Sequence, residues 1–365
     1  MGHVAKAAAL AAMIFCLGTA QAQGSGPVEL PANSTFKHRH SKIELPRALA
    51  GLPRSRGLEY EADQLDTMSE YATPDLSEAY SVYIYRNVAG GVAVWFDRAR
   101  SMLEQRTTLG TPSRHGAGAF VPPGRANASG LIATYALAGK GYRSTGLAMV
   151  PVGEWLVKMR ASSHTLSPPE LEARMKAVLG EIAWPKNMAP APDASPVVAC
   201  ATGLALTGDA KPAEKDEASG AAMLVGALLG QMGAIEEPAG KAAAPAPVTT
   251  RWCRDSTELP EGAVYRAGEQ ADSYLIALGD AGRAVSAGRN AGQLLLEGAD
   301  DKKPGGDRYE VQLILLAQTM TSALLDRLPP PAQALALVKE GRFATSFGTW
   351  GKGKGQITVT SDAIQ

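Results

Sequence analysis

Cysteine is scarce in this chain, with three among 365 residues, and histidine is hardly commoner at five. That scarcity excludes a disulfide-dense scaffold and a zinc module built from paired Cys and His. Net charge is lacking too, since 36 basic side chains balance 36 acidic ones. Without a basic excess there is no electrostatic footprint for nucleic acid. No apolar run reaches the roughly 20 residues that a spanning helix needs. The serine-hydrolase elbow G-x-S-x-G is missing as well, because Gly141-Tyr142-Arg143-Ser144-Thr145-Gly146 has one residue too many.

What is present begins with a leader. Lys6 supplies one positive charge, Ala7 to Leu17 are continuously apolar, and Ala20-Gln21-Ala22 ends the segment with small side chains. These are the three parts of a secretory signal peptide, with cleavage expected between Ala22 and Gln23. The apolar run is too short to stay in a bilayer. Bulky Met13-Ile14-Phe15 before Cys16 does not suit a lipid-anchoring motif. The expectation is an exported bacterial protein of the periplasm, with full secretion as the variant reading.

Removing residues 1–22 leaves about 340, enough for two ordinary domains. It leaves Cys200 and Cys253 as the only thiols. An even pair in an oxidising compartment most simply forms one disulfide, worth about 4 kcal/mol in the chain-entropy description. Two separate buried thiols and a partial metal site are the alternatives, although two cysteines do not complete a tetrahedral zinc shell.

Composition marks residues 23–35 as a loose, Pro-rich start. From Phe36 to Trp184, strands alternate with two helices. Tyr80 to Arg86 is aromatic and β-branched and reads as a strand. Val92, Trp95, Phe96, Ala99, Met102 and Leu103 recur at helical spacing, with Asp97, Arg98, Arg100 and Glu104 opposite, so an amphipathic helix is expected on a sheet. Leu131 to Leu137, Ser144 to Val150 and Glu154 to Ala161 read as strands, the last two joined by a hairpin at Pro151-Val152-Gly153. Ser167-Pro168-Pro169-Glu170 is a capping box opening a helix that Trp184-Pro185 ends.

A Pro/Ala linker at 186–196 marks a domain boundary. The second half, 197–365, is expected to be a β-rich α+β domain with low-complexity insertions at 208–220 and 236–247. Between them lies an uncharged run, 221–235, containing Gly226 and Gly230 four apart. It is too short to span a membrane, and burial on its own domain, burial on a partner and peripheral docking on a bilayer are its readings. Hairpin signals follow at Gly279-Asp280-Ala281-Gly282, then a strand from Tyr309, a short helix after Pro329-Pro330-Pro331, and two closing strands.

The Tyr83-Ile84-Tyr85 strand, the Trp95-Phe96 helix, the Trp155 to Arg160 strand and the Ser167 to Trp184 helix occur in an order that resembles the Mog1/PsbP-like group of α/β domains. The resemblance covers 36–185 and is one of element order. It implies an antiparallel sheet flanked by helices and a role in binding or assisting other proteins, with no shared catalytic residues to carry over.

Chemistry-bearing motifs are few. Gly348 to Gly355 satisfies G-x-x-x-x-G-K but ends in Gly355 where a nucleotide loop needs Ser or Thr, and a strand follows instead of a helix, so a Gly-rich hairpin is expected. His38 and His40 lie in a Lys/Arg-rich stretch that reads as a solvated basic strand, since its cations repel a metal. No cofactor, metal, nucleotide or nucleic acid is expected. The leading expectation is a non-enzymatic binding or accessory module with a protein or envelope partner; the alternative is a hydrolase whose spatially assembled site uses His115 or His164 as base.

Overall fold

The computed structural model describes residues 26–360 apart from 107, 109, 140, 215–249, 291 and 293–306. The leader, its cleavage residues Ala20, Ala22 and Gln23, the 221–235 run and the 236–247 insertion lie outside the described residues.

In chain order the first half holds β1 (Val28–Glu29), β2 (Phe36–Lys37), β3 (Glu44–Leu45), β4 (Ala48–Leu49), β5 (Leu52–Glu61), β6 (Asp66–Ala72), β7 (Glu78–Arg86) and α1 (Gly91–Glu104). It continues through β8 (Thr111–Phe120), β9 (Gly130–Ala138), β10 (Ser144–Val152), β11 (Trp155–Ser163) and α2 (Pro168–Glu181). The second half holds β12 (Val198–Ala199), β13 (Trp252–Arg254), β14 (Ala263–Ala267), β15 (Tyr274–Leu278), β16 (Arg283–Arg289), β17 (Tyr309–Ile314) and β18 (Gln318–Thr321). It closes with α3 (Pro331–Lys339), β19 (Thr345–Gly348) and β20 (Ile357–Val359). The class is α+β, dominated by two large sheets.

The first sheet is ordered β1-β5-β6-β7-β11-β10-β9-β8, with β4 beside β5, and its pairs are antiparallel. The second sheet runs β12 to β20 in sequence order as a meander. Only its first pair, β12 with β13, is parallel.

Period-two alternation decides what each face meets. On β10, Leu147 and Met149 join the core of α1, with Val94, Trp95 and Phe96, while Ala148 and Val150 join that of α2, with Leu171, Met175 and Val178. The second sheet repeats the arrangement. Tyr265, Leu275 and Ala277 share the α1 core, and Val264, Ile276 and Val285 share one with Ala334, Leu335 and Val338 of α3. Helix α1 is therefore packed between the two sheets, with α2 and α3 on their outer faces. Burial of each large apolar side chain contributes about 1.5–3 kcal/mol.

Three expectations need correction. The face of α1 that looked solvent-bound is covered by the second sheet, and Asp97 is buried there, accepting from Arg100 (2.5 Å), the Tyr265 hydroxyl (2.9 Å) and Arg254 (3.4 Å). Residues 26–35 are not loose. Val28 and Glu29 pair with β5, and the buried Arg54 donates to the carbonyls of Pro31 and Ser34. The start of the 208–220 insertion is held too, since the Ala210 N–H donates to Gln333 (2.8 Å) and Pro212 bridges to Leu325. In each case a partner far away in sequence supplies the order that local composition does not.

The 186–196 segment is laid along the first half, with Arg125 donating to the Ala189 carbonyl (2.6 Å) and Asn127 to that of Ala191 (2.9 Å). Cys200 and Cys253 form a disulfide beside β13. Arg266, fully buried, stands 3.3 Å from Asp255 and donates to the Gly203 carbonyl (3.1 Å) and to that of Thr202, fixing the loop behind the bond. Helix α2 starts as its sequence specifies, with the Glu170 carboxylate accepting from the Ser167 N–H (2.7 Å) and hydroxyl (2.5 Å).

Candidate functional site

Helix α1 shields its face of the first sheet only as far as Glu104. Beyond its end the side chains of that face turn polar: Ser81 and Tyr83 on β7, Arg160 and Ser162 on β11, Thr145 on β10. With Leu103, Arg106, Leu137 and Tyr142 they line a cleft of about 140 Å³. Register explains the grouping, since Arg160 lies opposite Ser81 across β11 and β7, and Ser162 lies opposite Thr145 across β11 and β10.

Beside the cleft, the second sheet reaches Arg160, one of the lining residues. The β15–β16 hairpin carries Asp280 down onto β11, where its carboxylate stands 3.0 Å from Lys158 Nζ and accepts from Arg160. Lys158 is fully buried, donates to the Asp280 carbonyl (2.9 Å) and sits 4.4 Å from the Tyr83 ring centre. Burial lowers the Lys158 pKa against the opposing pull of Asp280. Burial pushes the Asp280 carboxyl up, but Lys158 and Arg160 outweigh it and hold the group below the usual carboxylate range. Gly282 makes the approach possible, because at its φ of +86° a Cβ would lie 2.7 Å from the Arg86 carbonyl oxygen.

Arg283 of the same hairpin reaches Glu61 (2.9 Å) and Asp66 (3.3 Å) on the first sheet. Asp66 is buried, and its Oδ1 has no hydrogen-bond partner. Burial raises its pKa to about 6 despite Arg283 and Lys158.

The cleft offers donors. Arg106 is exposed and carries no ion pair among the described residues. Arg160 Nε is buried without an acceptor. The Thr145 hydroxyl donates to the Ala161 carbonyl (2.9 Å) and lies 3.0 Å from Ser162 Oγ, so both are held in place by hydrogen bonds rather than aimed at a base. Guanidinium groups and hydroxyls offer hydrogen bonds to polar groups.

His164 stands exposed with its ring 4.4 Å from that of Tyr142, edge to face, and His115 is exposed on β8. Neither makes a hydrogen bond to a Ser or Thr hydroxyl among the described residues. The Ser–His contact that does form is His38 Nδ1 to Ser41 Oγ at 2.8 Å. Because the Ser41 N–H also donates to Nδ1 (3.1 Å), that nitrogen is the acceptor, and Nε2–H donates to the Gln64 carbonyl (2.8 Å). Both side chains are buried, and burial lowers the His38 pKa to about 4, so the imidazole is a neutral turn-closing group. The expected solvated strand is thus a packed turn.

His40 stacks on Trp155 at 5.9 Å and stands 3.3 Å from Asp63. The Asp63 carboxylate also accepts from Arg39 (2.7 Å) and from Trp350 Nε1 (2.6 Å). The Trp350 bond, with some opposition from burial, lowers the Asp63 pKa. Trp350 belongs to the glycine-rich stretch, which forms the turn between β19 and β20. That stretch therefore fastens the end of the second half to the first, with Arg86 4.7 Å from the indole and donating to the Leu316 carbonyl (2.7 Å).

A second hollow of about 330 Å³ lies on the second sheet, bordered by Trp252, Ser286, Glu310 and Gln312. Burial raises the pKa of Glu310, which accepts from Asn290 (2.5 Å) and Gln312 (2.7 Å). Among the described residues no group of three or more His, Cys, Asp and Glu is placed to hold a metal ion, and no helix is long and apolar enough to cross a membrane.

Arg160, Asp280 and Arg106 were not singled out in the sequence. The one local signal is on β11, where Lys158 and Arg160 put two cations on one face of a strand whose other face is apolar. Protein-family models and curated proteins return no match to this chain.

Proposed function

We propose that this protein is exported to the periplasm and acts there as a non-enzymatic binding or accessory module of the cell envelope, its ligand seated in the cleft beside Arg106 and Arg160. The observation that carries the reading is the lining itself: two guanidinium groups and hydrogen-bonded hydroxyls, with Thr145 and Ser162 engaged by each other and by a backbone carbonyl. The Cys200–Cys253 bond supports export, because such bonds persist in oxidising compartments. An antiparallel sheet with α1 and α2 on opposite faces supports a Mog1/PsbP-like first half, a group whose members assist other proteins.

The test is a photoreactive amino acid placed at Tyr142 and irradiated in living cells. A discrete periplasmic or envelope component captured there, and not from a site on α3, is the expected result. Covalent labelling of the folded protein by a fluorophosphonate would contradict the reading in favour of a serine hydrolase.

A further inference from the structure

We infer that the cleft is a seat for one small oxyanion, a carboxylate or phosphate group, gripped by Arg106 and Arg160. The inference rests on the binding-module reading and adds the ligand's chemistry to it. A guanidinium presents five N–H donors in a rigid fork suited to carboxylate and phosphate. Arg160 commits one arm to Asp280, yet its Nε–H is buried without an acceptor. Arg106, across the cleft, has no ion pair among the described residues. Lys158 lies beneath, and Asp280 is the carboxylate that answers it and Arg160 together. Of the two guanidinium groups that line the cleft, only Arg160 is answered by a carboxylate, and its Nε–H is left unsatisfied.

Size and lining narrow the choice. A space of about 140 Å³ admits a group of a few heavy atoms with some water, not a chain of them. The lining carries no carboxylate of its own. The ligand is therefore a small anion or the anionic head of a larger molecule.

Calorimetric titration of the mature protein with inorganic phosphate and with acetate, at low ionic strength, tests this. Saturable one-site binding is expected for at least one of them. Arg106→Ala should weaken it by about tenfold or more, the loss of a charge-assisted contact, and Arg106→Lys should restore part of it. Arg342→Ala, an exposed arginine of the second half, should leave it unchanged. Cosedimentation with phosphatidylglycerol vesicles separates the sources: binding that phosphate competes away assigns a lipid headgroup, and phosphate binding without vesicle binding assigns a free solute. Equal affinity in the parent and Arg106→Ala proteins, or no binding of phosphate, acetate or vesicles, overturns the inference. So does tight, multivalent binding of heparin. Because Arg106 is exposed, a thermal midpoint close to the parent's shows that the variant is folded. Failure here with successful capture at Tyr142 removes the oxyanion alone; failure of both removes the binding reading.

Discussion

Asp280 Oδ2 stands 3.0 Å from Lys158 Nζ, so a carboxylate on a hairpin of the second sheet neutralises a lysine buried in the first. The same carboxylate accepts from Arg160, so this lock between the sheets also holds one of the arginines that line the cleft.

Removing one member of a buried pair leaves the other charge uncompensated, at about 3–5 kcal/mol. Asp280→Asn is expected to lower stability to urea by that amount. Adding Lys158→Met should recover most of the loss, since the stranded charge is gone. A single-variant loss under about 1 kcal/mol, the range of exposed pairs, would show that the lock is not desolvated.

His38 gives a pH dependence. Its folded pKa, about 4, lies below the ordinary histidine value of 6.5, so the unfolded chain binds the extra proton first. Its contribution is complete above pH 6.5 and is lost as pH falls toward 4, by about 3 kcal/mol in all. Urea midpoints from pH 4 to 7 should carry this rise, and His38→Asn should lack it.

Asp66 acts in the opposite sense. Its folded pKa, about 6, lies above the ordinary aspartate value of 3.8, so the folded state holds its proton longer. The stability from this group is present below pH 3.8 and is lost as pH rises through 6. Asp66→Asn should remove that decline, making the rise of stability between pH 4 and 6 steeper than in the parent. An unchanged slope would show that Arg283 already compensates the buried carboxylate.

Trp350 joins the far end of the chain to Asp63, with its ring 5.8 Å from that of Trp155 and 4.8 Å from that of His40. Trp350→Ala is expected to cost about 3–5 kcal/mol and to speed amide exchange across β19 and β20 before the rest of the second sheet. Uniform exchange in the variant would mean that the hairpin is held elsewhere.

The Cys200–Cys253 bond spans 53 residues, and its reduction should cost about 4 kcal/mol at most. Intact mass without reductant should show both thiols oxidised.

Much of the scaffold was legible because it is local. The capping box at Ser167, the Tyr80 to Arg86 strand and the hairpin at Gly279 to Gly282 depend on neighbours a few residues away. What escaped depends on distance in sequence. Asp97 read as solvent-facing because the sheet that buries it lies more than 150 residues downstream, and His38 read as solvated because Gln64 and Trp155 were not visible beside it. The cleft escaped for the same reason: its lining comes from the end of α1 and from β7, β9, β10 and β11, and no spacing rule connects them.

The proposed envelope role depends on export, and the amino-terminal sequence of native protein recovered from an osmotic-shock fraction tests it most directly. A chain beginning at Gln23 in that fraction is the expected result. A chain retaining Met1 or Gly2 and remaining with the cytoplasm would contradict the envelope assignment and the binding role built on it.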